Sequence, residues 1–547
     1  MKHIIPINLL LLLTIFLTAC GSTEDSAATE EISSGDPKFA ISYEGLSFYK
    51  QEMPQESYRL EPLKDSDFNA LEDSEQLLVA DKLLSTLFFG YNLPLLKEKI
   101  NSGEFLSTVA FGLTQDSTDK ELLESSILNE EKFYRPDGHS ESIDILSRFY
   151  LAEELDSYYL NNWIAYILTQ TIMFSPAYEL DSSHSPNIAR VYNRLVTLLE
   201  DDASMRFITY VHMSSDDNWR RFRSPEDNGR EMLEIYTLDQ NDSHVPIAAT
   251  ALKNWKLDRD NDTLVVGLGE NTQALSLFGT TIYNGDDFYR ELAKSSSFTY
   301  GTVKRLVEFF FLENTPEQIE SITQSIVASK PETWQGILKQ IIFSKEYLLH
   351  TAKAKSAEAT LFSLAKKLEF KTRNNSIYYF KIALENMHQA SMKYKLGKLN
   401  RVPLDTLSFA NYTKYIREEV LLRRSNPVYD NNYSNWSRQG WSDSFIAQEN
   451  YEVDYSDGIT SLHNLINYIF ETTTARVANE EEMQMFDSLM LQETGGVQEV
   501  VSFFDTTDKR LNNDGTQKGI SYARNVAYVI LDYISRLEDT YIHKKVD

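Results

Sequence analysis

Apolar residues recur at spacings of three and four along most of the chain from about residue 76 onward. A clear example is the series Trp334, Ile337, Leu338, Ile341 and Ile342. This spacing gathers apolar side chains on one face of an α-helix. Runs that alternate with a period of two are short, and the best of them is 263–266. The pattern predicts an all-α fold: an irregular multi-helical bundle or stacked-helix body with long loops and at most a few short strands.

Two segments combine a capping residue with Pro near a helix start. Thr315 precedes Pro316 and Gln318, and Ser329 precedes Pro331 and Glu332. A Thr or Ser hydroxyl can accept a hydrogen bond from the first turn, while the Gln or Glu bonds back. The sequence therefore predicts helices that begin directly after Thr315 and after Ser329.

Changes in composition along the chain suggest an order of segments. Polar, charged or aromatic-rich stretches at 212–230 and 424–458 interrupt the helical pattern, and loops of this length are usually functional or disordered. We predict a signal peptide at 1–19, an acidic tether at 20–37, an irregular segment at 38–75, a helical body at 76–400 and a C-terminal helical region at 401–547.

The first twenty residues look like a lipoprotein signal. Lys2 precedes a run from Ile4 to Leu17 that is almost wholly apolar, and Ala19-Cys20 follows it. Such a run is too short to span a bilayer comfortably and ends at small residues, as signal peptides do. The ending resembles the bacterial lipobox, which implies acylation of Cys20, with palmitate as the expected acyl group. An ordinary signal peptide with a chance Cys is the alternative.

The net charge indicates which classes of binding partner are disfavoured, and the residue after Cys20 indicates which membrane is favoured. The chain carries a net charge of −28, which disfavours nucleic acid and anionic lipid surfaces as binding partners. We therefore expect contact with the membrane through the lipid alone. Gly21 is not the Asp that resembles an inner-membrane retention signal, so the sequence favours the outer membrane if the cell is Gram-negative.

Little in the sequence indicates a metal or cofactor. Cys20 is the only Cys, and the His residues are scattered without a zinc-binding spacing. Asp258, Asp260 and Asp262 alternate as calcium ligands can, but Thr263 stands where an EF-hand needs Gly. A solvated acidic turn is the simpler interpretation, and we predict neither a metal nor a cofactor.

The window 224–238 concentrates charge at a predicted helix start. Asp227, Glu231 and Glu234 are carboxylates close to Arg230, and Asn228 directly follows Asp227 in the turn. Paired carboxylates can act as acid and base in hydrolysis, but charges at a helix start also form caps and salt bridges. We treat the three carboxylates as catalytic candidates, and Asn228 and Arg230 as binding candidates.

This window resembles the signature of the bacterial "domain of unknown function 1800" family, which reads Pro-Asn-Glu-Asn, two residues, Arg-Glu, two more and Glu-Leu. Segments similar to other family motifs follow in the family's order over residues 76–400, with 253–255 in the place of its Thr-Gly-Trp. The signature here is one residue shorter. The resemblance implies export and an exported, sulfatase-like partner, without implying a reaction.

Two functions follow as expectations. The first is a lipid-anchored envelope protein that is an interaction or assembly partner of another exported protein or polymer. The alternative is a carboxylate-based hydrolase of envelope or extracellular polysaccharide, whose sugar-binding platforms would be aromatic. Trp255, Trp436 and Trp441 are the aromatic binding candidates for either function.

Overall fold

A computed structural model of the chain describes residues 60–118, 120–121, 140–173, 188–258, 263–368, 384, 389, 406–421, 458–494, 527 and 529–546. These residues are mostly helical with a few short strands, as the apolar spacing predicts. They divide into two compact units. The first unit is Asp202–Thr302, and the second contains the described residues before and after that segment.

The second unit begins the described chain. Its first seven helices are α1 Asp65–Phe68, α2 Asp73–Thr86, α3 Leu93–Asn101, α4 Phe105–Gly112, α5 Ser140–Leu151, α6 Ser157–Thr171 and α7 Ile188–Glu200. Helix α6 is the centre of its core, because nearly every residue from Tyr158 to Thr171 is buried. The buried Asn162 of this helix is hydrogen-bonded, because its Nδ2 donates to the Tyr158 carbonyl and its Oδ1 accepts from the Tyr192 hydroxyl. The Asp156 carboxylate caps α6 by accepting a hydrogen bond from the Tyr159 backbone N–H.

The first unit combines helices with two hairpins. Its elements are α8 Met205–Met213, α9 Asp216–Arg221, α10 Pro225–Thr237, α11 Val245–Ala251, β1 Trp255–Asp258, β2 Thr263–Val266, β3 Leu275–Leu277, β4 Thr280–Ile282 and α12 Gly285–Lys294. Strand β2 confirms the predicted strand at 263–266, and it pairs antiparallel with β1.

The rest of the chain returns to the second unit. Its elements are α13 Ser296–Phe310, α14 Pro316–Ala328, α15 Trp334–Ile342, α16 Lys345–Leu348, β5 Lys353–Ala354, α17 Ala357–Lys367, α18 Thr406–Ile416, a π-helix Arg417–Leu421, α19 Gly458–Thr474, α20 Glu480–Thr494, a 3₁₀ helix Glu538–Thr540 and β6 Ile542–His543. Helix α13 begins in the first unit and ends in the second. None of the described helices has both the length and the apolar character that crossing a bilayer requires.

One of the two predicted helix starts is confirmed. The Thr315 and Gln318 side chains form the reciprocal capping box that begins α14. The predicted start after Ser329 is wrong, because Ser329 ends α14 and Thr333 caps α15. Lys330 adopts a positive φ of 53°, a conformation that interrupts a helix. The Pro and Glu therefore follow a helix end, and the next helix begins four residues later than predicted.

Strands β5 and β6 connect distant parts of the second unit. Lys353 pairs with His543, and Ala354 pairs with Ile542, in an antiparallel register. The Lys355 backbone N–H donates a hydrogen bond to the Tyr541 carbonyl at 2.8 Å, which extends the pairing beyond the strands. This antiparallel pairing joins two segments that are far apart in the chain. It positions the side chains of Lys353 and His543, which line the candidate site described below.

Candidate functional site

A cavity of about 400 Å³ lies within the described part of the second unit. Most of its wall is apolar, and the apolar residues that line it include Phe88, Ile167, Phe310, Leu312, Phe409 and Ile542. A volume of this size, apolar walls and a few polar groups are typical of small-molecule binding sites. The cavity is therefore the best candidate for a functional site in the described chain.

Rigid elements form the walls of the cavity. Tyr166 and Ile167 belong to the buried helix α6, whereas Phe309 and Phe310 are the last residues of α13. The Phe88 ring packs edge-on against Tyr166 at 5.4 Å between centroids. Side chains held by core packing keep their rotamers, so the cavity keeps its shape without a ligand.

Lys353 carries the most unusual polar group on the wall. Its Nζ lies 4.6 Å from the ring centroid of Phe309, 4.5 Å from that of Phe310 and 5.9 Å from that of Tyr347. None of the described residues accepts a hydrogen bond from this Nζ. Burial lowers the pKa of Lys353 to about 8, against the opposing effect of the Glu313 carboxylate. The amine is therefore held by aromatic rings rather than by hydrogen-bond acceptors.

A second lysine shares the Tyr347 ring. The Lys82 Nζ lies 4.8 Å from the ring centroid and donates hydrogen bonds to the backbone carbonyls of Tyr347 and Thr351. Burial, assisted by the nearby charge of Lys353, lowers the pKa of Lys82 to about 7. The Tyr347 hydroxyl is itself hydrogen-bonded to Thr86 at 2.7 Å, which fixes the ring between the two lysines.

Behind the wall, Asp81 is the centre of a buried ionic network. Its carboxylate forms ion pairs with Lys367 and with Lys355, the latter at 3.4 Å, and accepts hydrogen bonds from Tyr91 and Ser85 at 3.0 and 3.3 Å. Burial raises the pKa of Asp81, but the charges of Lys367 and Lys355 outweigh that effect and hold the pKa well below its usual range. The carboxylate therefore stays ionised in the core, where it compensates the two ammonium groups.

His543 connects this network to the cavity. It lines the cavity from β6, and its Nδ1 lies 4.0 Å from Asp81 Oδ2. Burial and the charge of Lys355 lower the pKa of His543 well below its ordinary value, although Asp81 opposes them. The imidazole is therefore neutral at pH 7 and contributes a polar but uncharged group to the wall.

The catalytic candidates predicted from the sequence belong to the first unit. Asp227 is exposed in the first turn of α10, while Glu231 and Glu234 are half-buried further along this helix. Arg230 forms ion pairs with Glu226 at 3.7 Å and with Asp242 at 3.0 Å. The candidates share one helix, whereas the cavity is lined wholly by residues of the second unit.

Two binding candidates are part of the core of the first unit. Asn228 is fully buried, and its Oδ1 accepts a hydrogen bond from the Tyr289 hydroxyl at 2.7 Å. This hydroxyl in turn accepts one from Trp219 Nε1 at 2.9 Å, and the Trp255 ring stacks on Trp219 with centroids 6.0 Å apart. These contacts satisfy buried polar groups, which stabilises the fold. They account for Asn228 and Trp255 without a ligand.

Gly229 lies at a close contact between α10 and α11. A Cβ at this position would lie 2.6 Å from the Ala248 Cβ, so Gly allows α11 to pack closely against α10. The signature window is thus a close helix–helix contact as well as a cluster of charges.

Several predicted residues lie outside the described residues: Cys20, Trp436, Trp441, Asp260 and Asp262, together with the segments 1–19, 20–37, 424–458 and most of 38–75. Asp258 is described as the last residue of β1. Among the described residues, no group of three or more His, Cys, Asp or Glu side chains is arranged to hold a metal ion. The anchor and the aromatic loop stay predictions.

Sequence reasoning did not find the cavity. Lys353 is one lysine among many in a short polar segment, and its environment depends on β6, far along the chain. A visible signal was the run Phe309-Phe310-Phe311 at the end of a predicted helix, because three adjacent aromatic residues cannot all face one core. That run could have indicated a second apolar surface, but not its polar partner.

Comparison with known proteins assigns no relationship. No protein family matches the chain, and neither a curated protein nor a solved structure is significantly similar to it. The resemblance to the "domain of unknown function 1800" family therefore stays a prediction that rests on the motifs alone.

Proposed function

We propose that this protein is a lipid-anchored binding protein of the cell envelope, and that its cavity holds a small apolar molecule or an apolar group of an exported partner. The observation that carries the binding proposal is the partly open, largely apolar cavity of about 400 Å³ in the second unit. Cys20 supplies the proposed anchor. An irregular bundle of helices is the proposed scaffold that holds the cavity. Membership of the "domain of unknown function 1800" family and an exported partner remain part of the hypothesis.

The chemistry of the wall supports an apolar ligand. Removing apolar surface from water contributes about 25 cal/mol per Å², so a ligand that fills such a cavity gains affinity largely from burial. The surface that the wall presents is mostly apolar, so a polyhydroxylated ligand would find few hydrogen-bond partners beyond the carboxylates of Glu308, Glu313 and Glu358. A sugar polymer would need hydrogen-bond partners for each hydroxyl group that it buries.

The carboxylates of the signature helix also favour binding over hydrolysis. Glycoside hydrolysis requires two carboxyl groups that face each other across a substrate. Asp227 is exposed, and the neighbouring Arg230 forms ion pairs with Glu226 and Asp242. An exposed helix start with paired charges is the usual arrangement of a capped surface helix.

The binding proposal predicts that filling the cavity abolishes uptake of an apolar probe. Ala359 lines the cavity near the start of α17, so Ala359→Phe is expected to weaken binding of the neutral dye N-phenyl-1-naphthylamine at least tenfold, because the new ring occupies the site. Fluorescence titration of the full chain measures this affinity. Ala274→Phe, at an exposed position of the first unit, is the matched control and should bind as the wild type does.

A second variant tests the same site independently, in case Ala359→Phe does not fold. Leu312 is 46% exposed and lines the cavity, so Leu312→Glu should fold normally and still weaken dye binding severalfold. Unchanged affinity in both cavity variants would refute the proposed site. Absence of saturable binding in the wild type would refute the binding function itself.

The anchor proposal has a separate test. Cys20→Ala removes the sulfur to which the lipid would be attached, so the protein is expected to move from the membrane fraction to the soluble fraction of the envelope. Mass spectrometry of the wild type should show acyl chains on Cys20. Gly21→Asp keeps Cys20 and should remain membrane-bound. Equal membrane retention of Cys20→Ala and wild type would contradict lipid anchoring.

A carboxylate-based hydrolase is the second candidate, because Glu308, Glu313 and Glu358 line the same cavity. Glu358 accepts a hydrogen bond from the Tyr166 hydroxyl at 2.9 Å, as a positioned carboxylate can. New reducing ends released from envelope polysaccharide by the wild type, but not by Glu313→Gln, would favour hydrolysis over simple binding.

A further inference from the structure

Lys353 presents a primary amine to an apolar cavity. Its Nζ lies within 6 Å of three aromatic ring centroids, and none of the described residues accepts a hydrogen bond from it. Strand pairing with β6 fixes the backbone of Lys353 and of Ala354 after it. An amine in this position differs from surface lysines, which are surrounded by water and protonated at neutral pH.

Desolvation makes such an amine nucleophilic. A lysine in an apolar pocket or beside another cation loses its proton more easily, and the neutral amine is the species that attacks a carbonyl carbon. Lys353 meets the first condition, since its cavity is apolar and burial outweighs the opposing effect of the Glu313 carboxylate on its pKa. With a pKa of about 8, roughly a tenth of the Lys353 side chains are neutral at pH 7, whereas an exposed lysine with a pKa near 10.4 is almost wholly protonated.

A carboxylate lies at the same site. Glu313 lines the cavity and accepts a hydrogen bond from the Ala354 backbone N–H at 3.2 Å, one residue after the amine. A carboxyl group in this position can take a proton from one intermediate and return it to another. Amine and carboxylate together provide what condensation with a carbonyl compound requires.

We propose that Lys353 captures a small apolar aldehyde or ketone as an imine within the cavity. The Nζ lone pair forms a C–N bond to the carbonyl carbon, and the carbonyl oxygen takes a proton to give a carbinolamine. Loss of this hydroxyl group as water, with the second amine proton transferred through Glu313, leaves the C=N bond. This proposal rests on the binding function and specifies its ligand class.

Reductive trapping tests the proposal. The full chain is incubated with 3-phenylpropanal and sodium cyanoborohydride, and the modified lysines are located by proteolysis and mass spectrometry. Lys353 is expected to be labelled at least tenfold faster than the exposed Lys256 and Lys330 in the same sample. Its rate should rise with pH to a midpoint near 8. Uniform labelling of all lysines would overturn the proposal.

Two variants separate this inference from the binding function. Lys353→Arg retains a cation against the rings but has no amine that forms an imine, so it should lose the labelled site. Lys256→Arg, at an exposed position of the first unit, should keep both the labelling of Lys353 and the binding of N-phenyl-1-naphthylamine. Dye binding without preferential labelling of Lys353 in the wild type would overturn imine capture alone. Absence of saturable dye binding by the wild type would overturn both imine capture and the binding function. Glyceraldehyde, which is small and polar, should label Lys353 much less than 3-phenylpropanal; equal labelling would also overturn capture within an apolar cavity.

Discussion

Replacing Asp81 by Asn is expected to lower the free energy of unfolding of the second unit by about 3–5 kcal/mol, because it leaves two buried ammonium groups without a counter-charge. Asp81 forms ion pairs with both Lys367 and Lys355 and is almost completely buried. Urea unfolding of the full chain, followed by fluorescence or by hydrogen exchange of the second unit, measures this loss.

The double variant Asp81→Asn with Lys367→Met is the decisive comparison. Removing both partners of a buried pair costs less than removing one, so the double variant should be more stable than Asp81→Asn alone. Since the pKa of Asp81 is depressed in the folded state, its contribution is present above pH 4 and is lost as the pH falls further. A loss below 1 kcal/mol at pH 7 would show that the network is not needed for stability.

Raising the pH from 7 to 9 is expected to stabilise the protein, and Lys82 alone should contribute about 2 kcal/mol. The pKa of Lys82 is lowered to about 7 in the folded state, from an ordinary value of 10.5. Above pH 7 the folded state therefore loses a proton that the unfolded state keeps. The unfolded state then binds more protons, so the free energy of unfolding rises with pH until about 10.5.

Urea titrations at pH 7, 8 and 9 check this dependence. Lys82→Met removes the titrating amine and should reduce the rise, although it also leaves the carbonyls of Tyr347 and Thr351 without their donor. Lys256→Met, at an exposed position, is the matched control and should retain the full rise. Identical pH profiles for the wild type and Lys82→Met would contradict the assignment.

Local features of the fold could be predicted from the sequence. The Thr315 capping box and the strand at 263–266 depend on residues within a few positions of each other, and both are confirmed. The cap predicted at Ser329 fails for a physical reason. Its Pro and Glu satisfy the local motif, but Lys330 adopts a left-handed conformation that separates α14 from α15.

The candidate site depends on contacts that sequence spacing does not contain. Asp81 and Lys367 are 286 positions apart, and Tyr289 lies 61 positions from the Asn228 side chain that it contacts. A polar residue in a helical window looks the same whether it faces a ligand or a buried hydroxyl group. The sequence alone therefore does not distinguish Asn228 or Lys353 from the polar residues near them.

The interrupted course of the second unit has a consequence for the order of folding. Within the part of the chain that the structure describes, the first unit lies between Asp202 and Thr302, whereas the second unit needs residues from both sides of that segment. Closing a contact between segments this far apart carries a large entropic cost and slows folding. The first unit can therefore acquire its protection from hydrogen exchange first, while Asp81 and Lys82 remain hydrated. The part of the chain that folds last would then be the part that buries the charges of Asp81 and Lys82.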